Sequence, residues 1–198
     1  MGLFDNLLEA VTSKEGKESL MDGAISILEN VHSEKRILKN STAEYRLKIK
    51  RKNNSLHFVV CDEYDHGRFH IKQAVFQIGQ PCIELYDADS NKVGAVKREK
   101  EWLSSHFSYA VYAGDKYLTS LDYRASAKMR YDIGINGWTL ESSLLQSHYT
   151  VTDLKGNQII KINTTTEDRE LYIVEYNGKE NEIISVLIFM AVMLINKE

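Results

Sequence analysis

The chain of 198 residues has a formal net charge of −3, from 25 lysine and arginine residues against 28 aspartate and glutamate residues. This near balance argues against nucleic-acid binding driven by overall charge. Hydrophobic residues make up 43% of the sequence, enough for a substantial core, and the single proline, Pro81, excludes a proline-rich linker.

Residues 1–40 have helical periodicity, in two apolar stretches separated by a polar break at residues 12–16. We predict two amphipathic helices that pack on the main body or on each other. A membrane-surface helix is the alternative, but such helices carry a basic polar face, whereas Asp5 and Glu9 mark the first stretch. The apolar positions are Leu3, Phe4, Leu7, Leu8 and Val11, then Leu20, Met21, Ala24, Ile25, Leu28 and Val31.

The two cysteines and the N-terminal sequence predict a cytoplasmic location, and a peripheral position at a membrane is left open. Cys61 and Cys82 lie in separate apolar segments without metal-ligand spacing, as is typical of buried thiols in a reducing compartment. Residues 1–11 lack the basic start and the long apolar run of a signal peptide.

From Ala43 onward the hydrophobic period changes from helical to two, which predicts β-strands. Turn signals such as Asn136-Gly137 separate the apolar segments. About twelve strands succeed one another with hairpin spacing. The first includes Tyr45, Leu47 and Ile49, and the others are predicted at 56–61, 69–78, 82–87, 93–99, 106–112, 117–123, 127–135, 138–143, 147–152, 158–163 and 171–176.

The last apolar run, 183–195, is broken only by Ser185, so a helix there has no face for water. Its length suits a buried core helix better than a membrane span, which needs about 17 to 25 apolar residues. Asn181 is the predicted N-cap. Because an eleven- or twelve-stranded barrel has room for an axial helix, we predict a mainly β domain at 41–198, a closed antiparallel barrel around helix 181–196, with an N-terminal helical extension at 1–40.

Three segments give the sequence a family resemblance: the hairpin at 83–94, the stretch at 138–141 leading to 148–153, and the terminal apolar helix. Over about 43–195 they resemble the LURP-one-related proteins of the tubby C-terminal-like superfamily. The resemblance implies a twelve-stranded barrel around a C-terminal helix. Tubby domains bind phosphoinositides through basic residues and the related scramblases act at membranes, so the resemblance also implies a role at anionic lipids.

No catalytic motif is present, and we predict neither an enzyme nor a cofactor. The segment 87–91 begins like a calcium loop, but Lys92 and Arg98 occupy the positions where that loop needs glycine and glutamate, which favours a hairpin turn. His66 and His70 lie four residues apart in a turn-to-strand region without a defined third ligand, so we predict no metal site.

The basic residues that alternate along the strands are the candidate binding residues. Such cations favour anionic membranes, although lysine on a barrel's outer face also prevents edge pairing without binding anything. The candidates for binding lipid headgroups or other anions are Arg46, Lys48, Lys50, Lys52, Lys97, Arg98, Arg124, Lys128 and Arg130.

The sequence supports two functional hypotheses. The first is a non-enzymatic barrel protein that binds anionic lipid headgroups or membrane surfaces through these basic strand faces. The alternative is a protein-interaction or scaffold module in which residues 1–40 recruit a protein partner or mediate self-association. Neither hypothesis includes nucleic acid as a partner.

Overall fold

The computed structural model describes residues 42–52, 57–74, 81–100, 107–125, 129–143, 148–164 and 171–196. A boundary after Asn40 divides the chain into two units, and all the described residues belong to the second, Ser41–Glu198. The predicted helical extension at 1–40 and the candidate residue Lys128 lie outside the described residues and stay predictions.

The described residues confirm the closed antiparallel barrel. Twelve strands are arranged in the order β1-β12-β11-β10-β9-β8-β7-β6-β5-β4-β3-β2, so every strand pairs with its neighbours in sequence and β1 closes on β12. The strands are β1 (Tyr45–Arg51), β2 (Phe58–Cys61), β3 (Gly67–Gln73), β4 (Cys82–Asp87), β5 (Lys92–Lys100), β6 (Phe107–Ala113), β7 (Lys116–Arg124), β8 (Arg130–Ile133), β9 (Trp138–Ser142), β10 (His148–Thr152), β11 (Gln158–Thr164) and β12 (Leu171–Tyr176).

The period-two pattern determines which side chains enter the barrel. On β1, Leu47 and Ile49 are buried in the core, whereas Arg46, Lys48 and Lys50 alternate with them on the outer face. Two predicted strands are shorter than the pattern suggested: the one predicted at 69–78 ends at Gln73, and the one predicted at 127–135 is confined to Arg130–Ile133.

The barrel encloses the helix α1 (Glu182–Ile195), whose residues from Ile184 to Ile195 are all buried. Leu187 and Phe189 are fully buried, which confirms the prediction of a core helix. Ser185, the one polar residue of the run, donates from Oγ to the carbonyl oxygen of Asn181 at 2.6 Å, so its hydroxyl is satisfied inside the helix. Within the described ranges, no helix combines the length and apolarity that a bilayer crossing needs.

Asn181 occupies the predicted N-cap position of this helix, but its side chain does not cap the backbone amides. Its side chain makes no cap hydrogen bond and instead donates from Nδ2 to the carbonyl oxygen of Asn177 at 2.7 Å. A short 3-10 helix, Lys179–Asn181, leads into α1 and brings that carbonyl within reach of the amide.

We call the end of the barrel at which α1 begins the front rim. It consists of the start of β1, the turns β2–β3, β4–β5, β6–β7, β8–β9 and β10–β11, and the link from β12 to α1. The predicted Asn136-Gly137 turn lies here, with both residues at positive φ (53° and 63°), as a tight hairpin of this type requires. The β4–β5 segment predicted as a turn is closed by Asn91, whose backbone nitrogen donates to Asp87 Oδ1 at 2.8 Å.

Candidate functional site: the basic residues of the barrel wall

The basic residues of β1 have acidic partners of different kinds. Arg46 Nε lies 3.4 Å from Oε1 of Glu175, a carboxylate that is only 3% exposed and also accepts from Asn163 Nδ2. Because a buried carboxylate needs such partners, Arg46 has a structural role. Lys48 and Lys50 both reach Asp65, at 3.4 Å and 2.7 Å, where the β2–β3 turn passes next to the outer face of β1.

Basic side chains from three adjacent strands meet on the outer face towards the end of β1. The register places Lys50 opposite Val59 and Val59 opposite His70, so these residues form one row across β1, β2 and β3. A second row lies beside it, because the backbone nitrogen of Lys52 donates to the carbonyl oxygen of His57 and the next residue, Phe58, pairs with Ile71. We call this surface the β1–β3 cationic face: Lys50, Lys52, His57, His70 and Lys72.

His57 reports on the electrostatics of this face. Burial lowers the pKa of its imidazole, and the positive charges of Lys52, Lys72 and His70 lower it further. The His57 and His70 rings are 6.1 Å apart. His57 Nε2 is buried without a hydrogen-bond partner among the described residues. The site therefore combines several nearby basic groups with an imidazole nitrogen that these residues do not hydrogen-bond.

The acids that border this face are already bound to cations. Glu84 accepts from Tyr86 Oη at 2.7 Å and pairs with Lys92 at 3.1 Å, and these contacts, the Tyr86 hydrogen bond first, lower the pKa of its carboxyl. The Lys72 ammonium lies 4.9 Å from the centre of the Tyr86 ring. With Lys48 and Lys92 counted, five lysines of the described residues lie near three acids here, Asp65, Glu84 and Asp115, so the described part of this face carries net positive charge.

Lys97 and Arg98 do not form one cluster, because consecutive strand residues point to opposite faces. Arg98 pairs in register with Tyr109, which is buried in the core, and its guanidinium lies 4.3 Å from the Phe107 ring centre on the inner side. Lys97 is on the outer side, where its ammonium lies 4.8 Å from the ring centre of Tyr112. These two candidate residues therefore do not make a single anion site.

Arg124 and Arg130 lie opposite each other on β7 and β8. Acids balance them: Asp132 is 3.3 Å from Arg124 and 3.9 Å from Arg130, and Glu141 is 3.3 Å from Arg130. Within the described part of β7–β9, this surface carries no net positive charge.

The two histidines weighed as metal ligands are separated. His66 Nδ1 lies 3.2 Å from Asp62 Oδ2 within the β2–β3 turn, whereas His70 belongs to the cationic face. In the described ranges, no three residues among histidine, cysteine, aspartate and glutamate are grouped as metal ligands.

Sequence reasoning missed His57, His70 and Lys72 as members of the site. The sequence does contain a signal, because residues two positions apart on a strand point to the same face. His70 and Lys72 share a face in this way, as Lys50 and Lys52 do on β1. Joining the two pairs requires the register of β1, β2 and β3, which depends on turns that the sequence does not specify uniquely.

Comparisons with known proteins agree with this architecture. A solved X-ray structure of an Arabidopsis thaliana protein superposes with a TM-score of 0.54 at 15% identity, covering 77% of this chain and 93% of that one, which shows a shared fold. No curated protein matches the sequence. The family model described as LURP-one-related matches residues 45–193, which extend from the first residue of β1 nearly to the end of α1. The chain therefore belongs to the LURP-one-related family.

Proposed function

We propose that this barrel is a non-enzymatic protein that binds anionic membrane surfaces through the β1–β3 cationic face. The observation that carries the proposal is the register that gathers Lys50, Lys52, His57, His70 and Lys72 on one outer surface. The tubby-like resemblance points in the same direction, since tubby domains bind phosphoinositides through basic residues.

A membrane fits this face better than a compact small anion does. The basic groups extend over three strands of the barrel wall instead of converging on a cavity, and neighbouring strands are about 4.8 Å apart. Each lysine near an anionic membrane contributes about 1 kcal/mol. Because Asp65 balances the charge of Lys50, the contribution of this face comes mainly from Lys52 and Lys72, about 2 kcal/mol together. Binding of this strength is weak and sensitive to salt, because the Debye length is about 8 Å at physiological ionic strength.

Flotation with liposomes containing phosphatidylserine tests the proposal, using the full-length chain at low and high salt. We expect the wild type to float with anionic liposomes at low salt, and to remain at the bottom at high salt or with neutral liposomes. The variant Lys50→Glu/Lys52→Glu/Lys72→Glu should lose flotation at low salt while it keeps the circular dichroism spectrum of the wild type.

A matched control changes three exposed lysines of the front rim: Lys116→Glu/Lys155→Glu/Lys179→Glu. Both triple variants change the net charge equally, so a general charge effect would weaken both. The proposal requires that the front-rim variant still floats. Equal flotation of the two variants, or absence of flotation by the wild type at low salt, would contradict it.

The alternative function, recruitment of a protein partner or self-association through residues 1–40, concerns a segment outside the described residues and stays a prediction. It predicts that deletion of residues 1–39 leaves a folded barrel and abolishes the partner or lowers the mass measured in solution.

A further inference from the structure

Two histidines lie within the β1–β3 cationic face. His57 is between Lys52 of β1 and Lys72 of β3, in one row across the three strands. Side chains directly opposite each other on neighbouring strands have β-carbons about 4.5 to 5.5 Å apart. His70 lies in the adjacent row, and its ring centre is 6.1 Å from that of His57. The two imidazoles therefore form a pair that shares its surroundings with lysine side chains.

The surroundings of His57 oppose its protonation in the free protein. Burial lowers the pKa of its imidazole most, and the charges of Lys52, Lys72 and His70 lower it further. Its Nε2 atom has no hydrogen-bond partner among the described residues, so no acceptor there stabilises an added proton. His57 therefore stays neutral to a lower pH than an ordinary histidine, whose pKa is 6.5.

The carboxylate on the β4 side of the pair is bound to other groups. Tyr86 lies opposite His70, and Glu84 lies opposite Lys72 and diagonal to His70. Glu84 accepts from Tyr86 Oη at 2.7 Å and pairs with Lys92 at 3.1 Å. Its negative charge is thus shared among several partners before it reaches the imidazoles.

The other carboxylates that approach the pair also have cations. On the β1 side of His70, Asp65 lies 2.7 Å from the ammonium of Lys50. Arg68, two residues before His70 on β3, pairs with Glu182 at 3.1 Å. Because the neighbouring acids of the described residues are paired in this way, the histidines gain most from negative charge that arrives from outside the protein.

An anionic membrane against this face supplies that charge. Its negative surface potential favours the protonated form of each imidazole, so the bound protein holds more protons than the free protein does. By linkage, affinity then rises as the pH falls. One additional positive charge at an anionic surface strengthens binding about fivefold.

We infer that His57 and His70 make attachment of the β1–β3 cationic face to anionic membranes dependent on pH, with stronger binding in mildly acidic than in neutral solution. At neutral pH the face binds through its lysines, and at acidic pH the two histidines add to their charge. The inference rests on the proposed function of this face.

The test is flotation of the full-length chain with phosphatidylserine liposomes at about pH 7.5 and about pH 5.5, on either side of the ordinary histidine pKa, at one fixed salt concentration. We expect the partition coefficient of the wild type to rise about tenfold on acidification, since two full charges would give about 25-fold and protonation is incomplete. The variant His57→Gln/His70→Gln should change by less than about twofold over the same range. Circular dichroism at both pH values checks that each protein is folded.

A matched control removes two histidines elsewhere. His66 lies in the β2–β3 turn beside Asp62, and His148 begins β10. The variant His66→Gln/His148→Gln should keep the pH dependence of the wild type. If it loses that dependence as the His57/His70 variant does, the effect comes from the total number of histidines, and the inference fails.

A variant with permanent charge tests the same inference from the other direction. His57→Lys/His70→Lys should bind at about pH 7.5 as strongly as the wild type does at about pH 5.5, with little further gain on acidification. A wild type that floats equally at both pH values would overturn this inference and leave the proposed function intact. A wild type that floats at neither pH, even at low salt, would overturn both.

Discussion

Leu187 of α1 lies directly against the backbone of Gly94 on β5. A β-carbon at position 94 would be 2.8 Å from Leu187 Cδ2 and 2.9 Å from the carbonyl oxygen of Tyr112. Both distances are too short for real contacts, and the carbonyl belongs to a paired strand. The central helix therefore approaches the barrel wall so closely that this position excludes any side chain.

The Gly94→Ala variant should lower the free energy of unfolding by about 1 to 3 kcal/mol, as overpacking of a well-packed core does. Urea denaturation measures the change. Gly67→Ala is the matched control, since a β-carbon there would meet nothing within 4 Å, and it should leave the urea midpoint nearly unchanged. Equal effects of the two substitutions would mean that the helix does not press on β5.

The helix α1 has a buried part and an exposed start, and an introduced carboxylate should affect folding differently in the two. Leu187 is fully buried and Ile183 is 39% exposed, although both belong to α1. Leu187→Asp should abolish folding because it places a carboxylate in the core without a partner, whereas Ile183→Asp should yield a folded chain. Circular dichroism and size-exclusion chromatography give the result. A folded Leu187→Asp variant would refute the central position of the helix.

Ionisation of Tyr176 should make the free energy of unfolding depend on pH in the alkaline range. Burial raises the pKa of its phenol to about 12 from the ordinary value of 10.0. Since the folded state retains the proton longer than the unfolded chain does, stability falls as pH rises from 10 to 12, by at most about 3 kcal/mol. Tyr176→Phe should remove this part of the loss, and Tyr117→Phe, at an exposed ring, should not. Unfolding measured across this range checks the difference, and identical pH dependence in the wild type and Tyr176→Phe would contradict it.

His57 provides a direct measure of the crowded positive charge. Burial first, and then Lys52, Lys72 and His70, lower its pKa. Replacing Lys72 by glutamine should therefore raise the pKa of His57, measured by an NMR titration of the ring carbons, whereas Lys161→Gln on β11 should not change it. In the wild type, stability should fall as pH decreases below 6.5, because the unfolded chain binds the proton more readily. An unchanged pKa of His57 in the Lys72→Gln variant would show that the Lys72 ammonium lies too far from His57 to influence its protonation.

The fold could be predicted from the sequence because periodicity is local. Leu47 and Ile49 mark the inner face of β1 by alternation alone, and the apolar run after Ser185 requires enclosure on every side. The candidate site was harder to predict, because its charge balance depends on pairs distant in sequence. Nothing near Arg46 indicates Glu175, 129 residues away, as its partner. The position of Lys52 and Lys72 on one outer surface likewise depends on the register of β1, β2 and β3.

Paramagnetic broadening can locate the contact between the barrel and a membrane. Anionic bicelles with a spin label on the lipid headgroup broaden amide signals of the bound ¹⁵N-labelled chain according to distance. We expect broadening at Lys50, Val59, His70 and Lys72, and little effect at Arg124 or in the front-rim turns. Broadening centred on Arg124 and its neighbours or on the front rim, or no broadening at low salt, would contradict the proposal that the β1–β3 cationic face binds membranes.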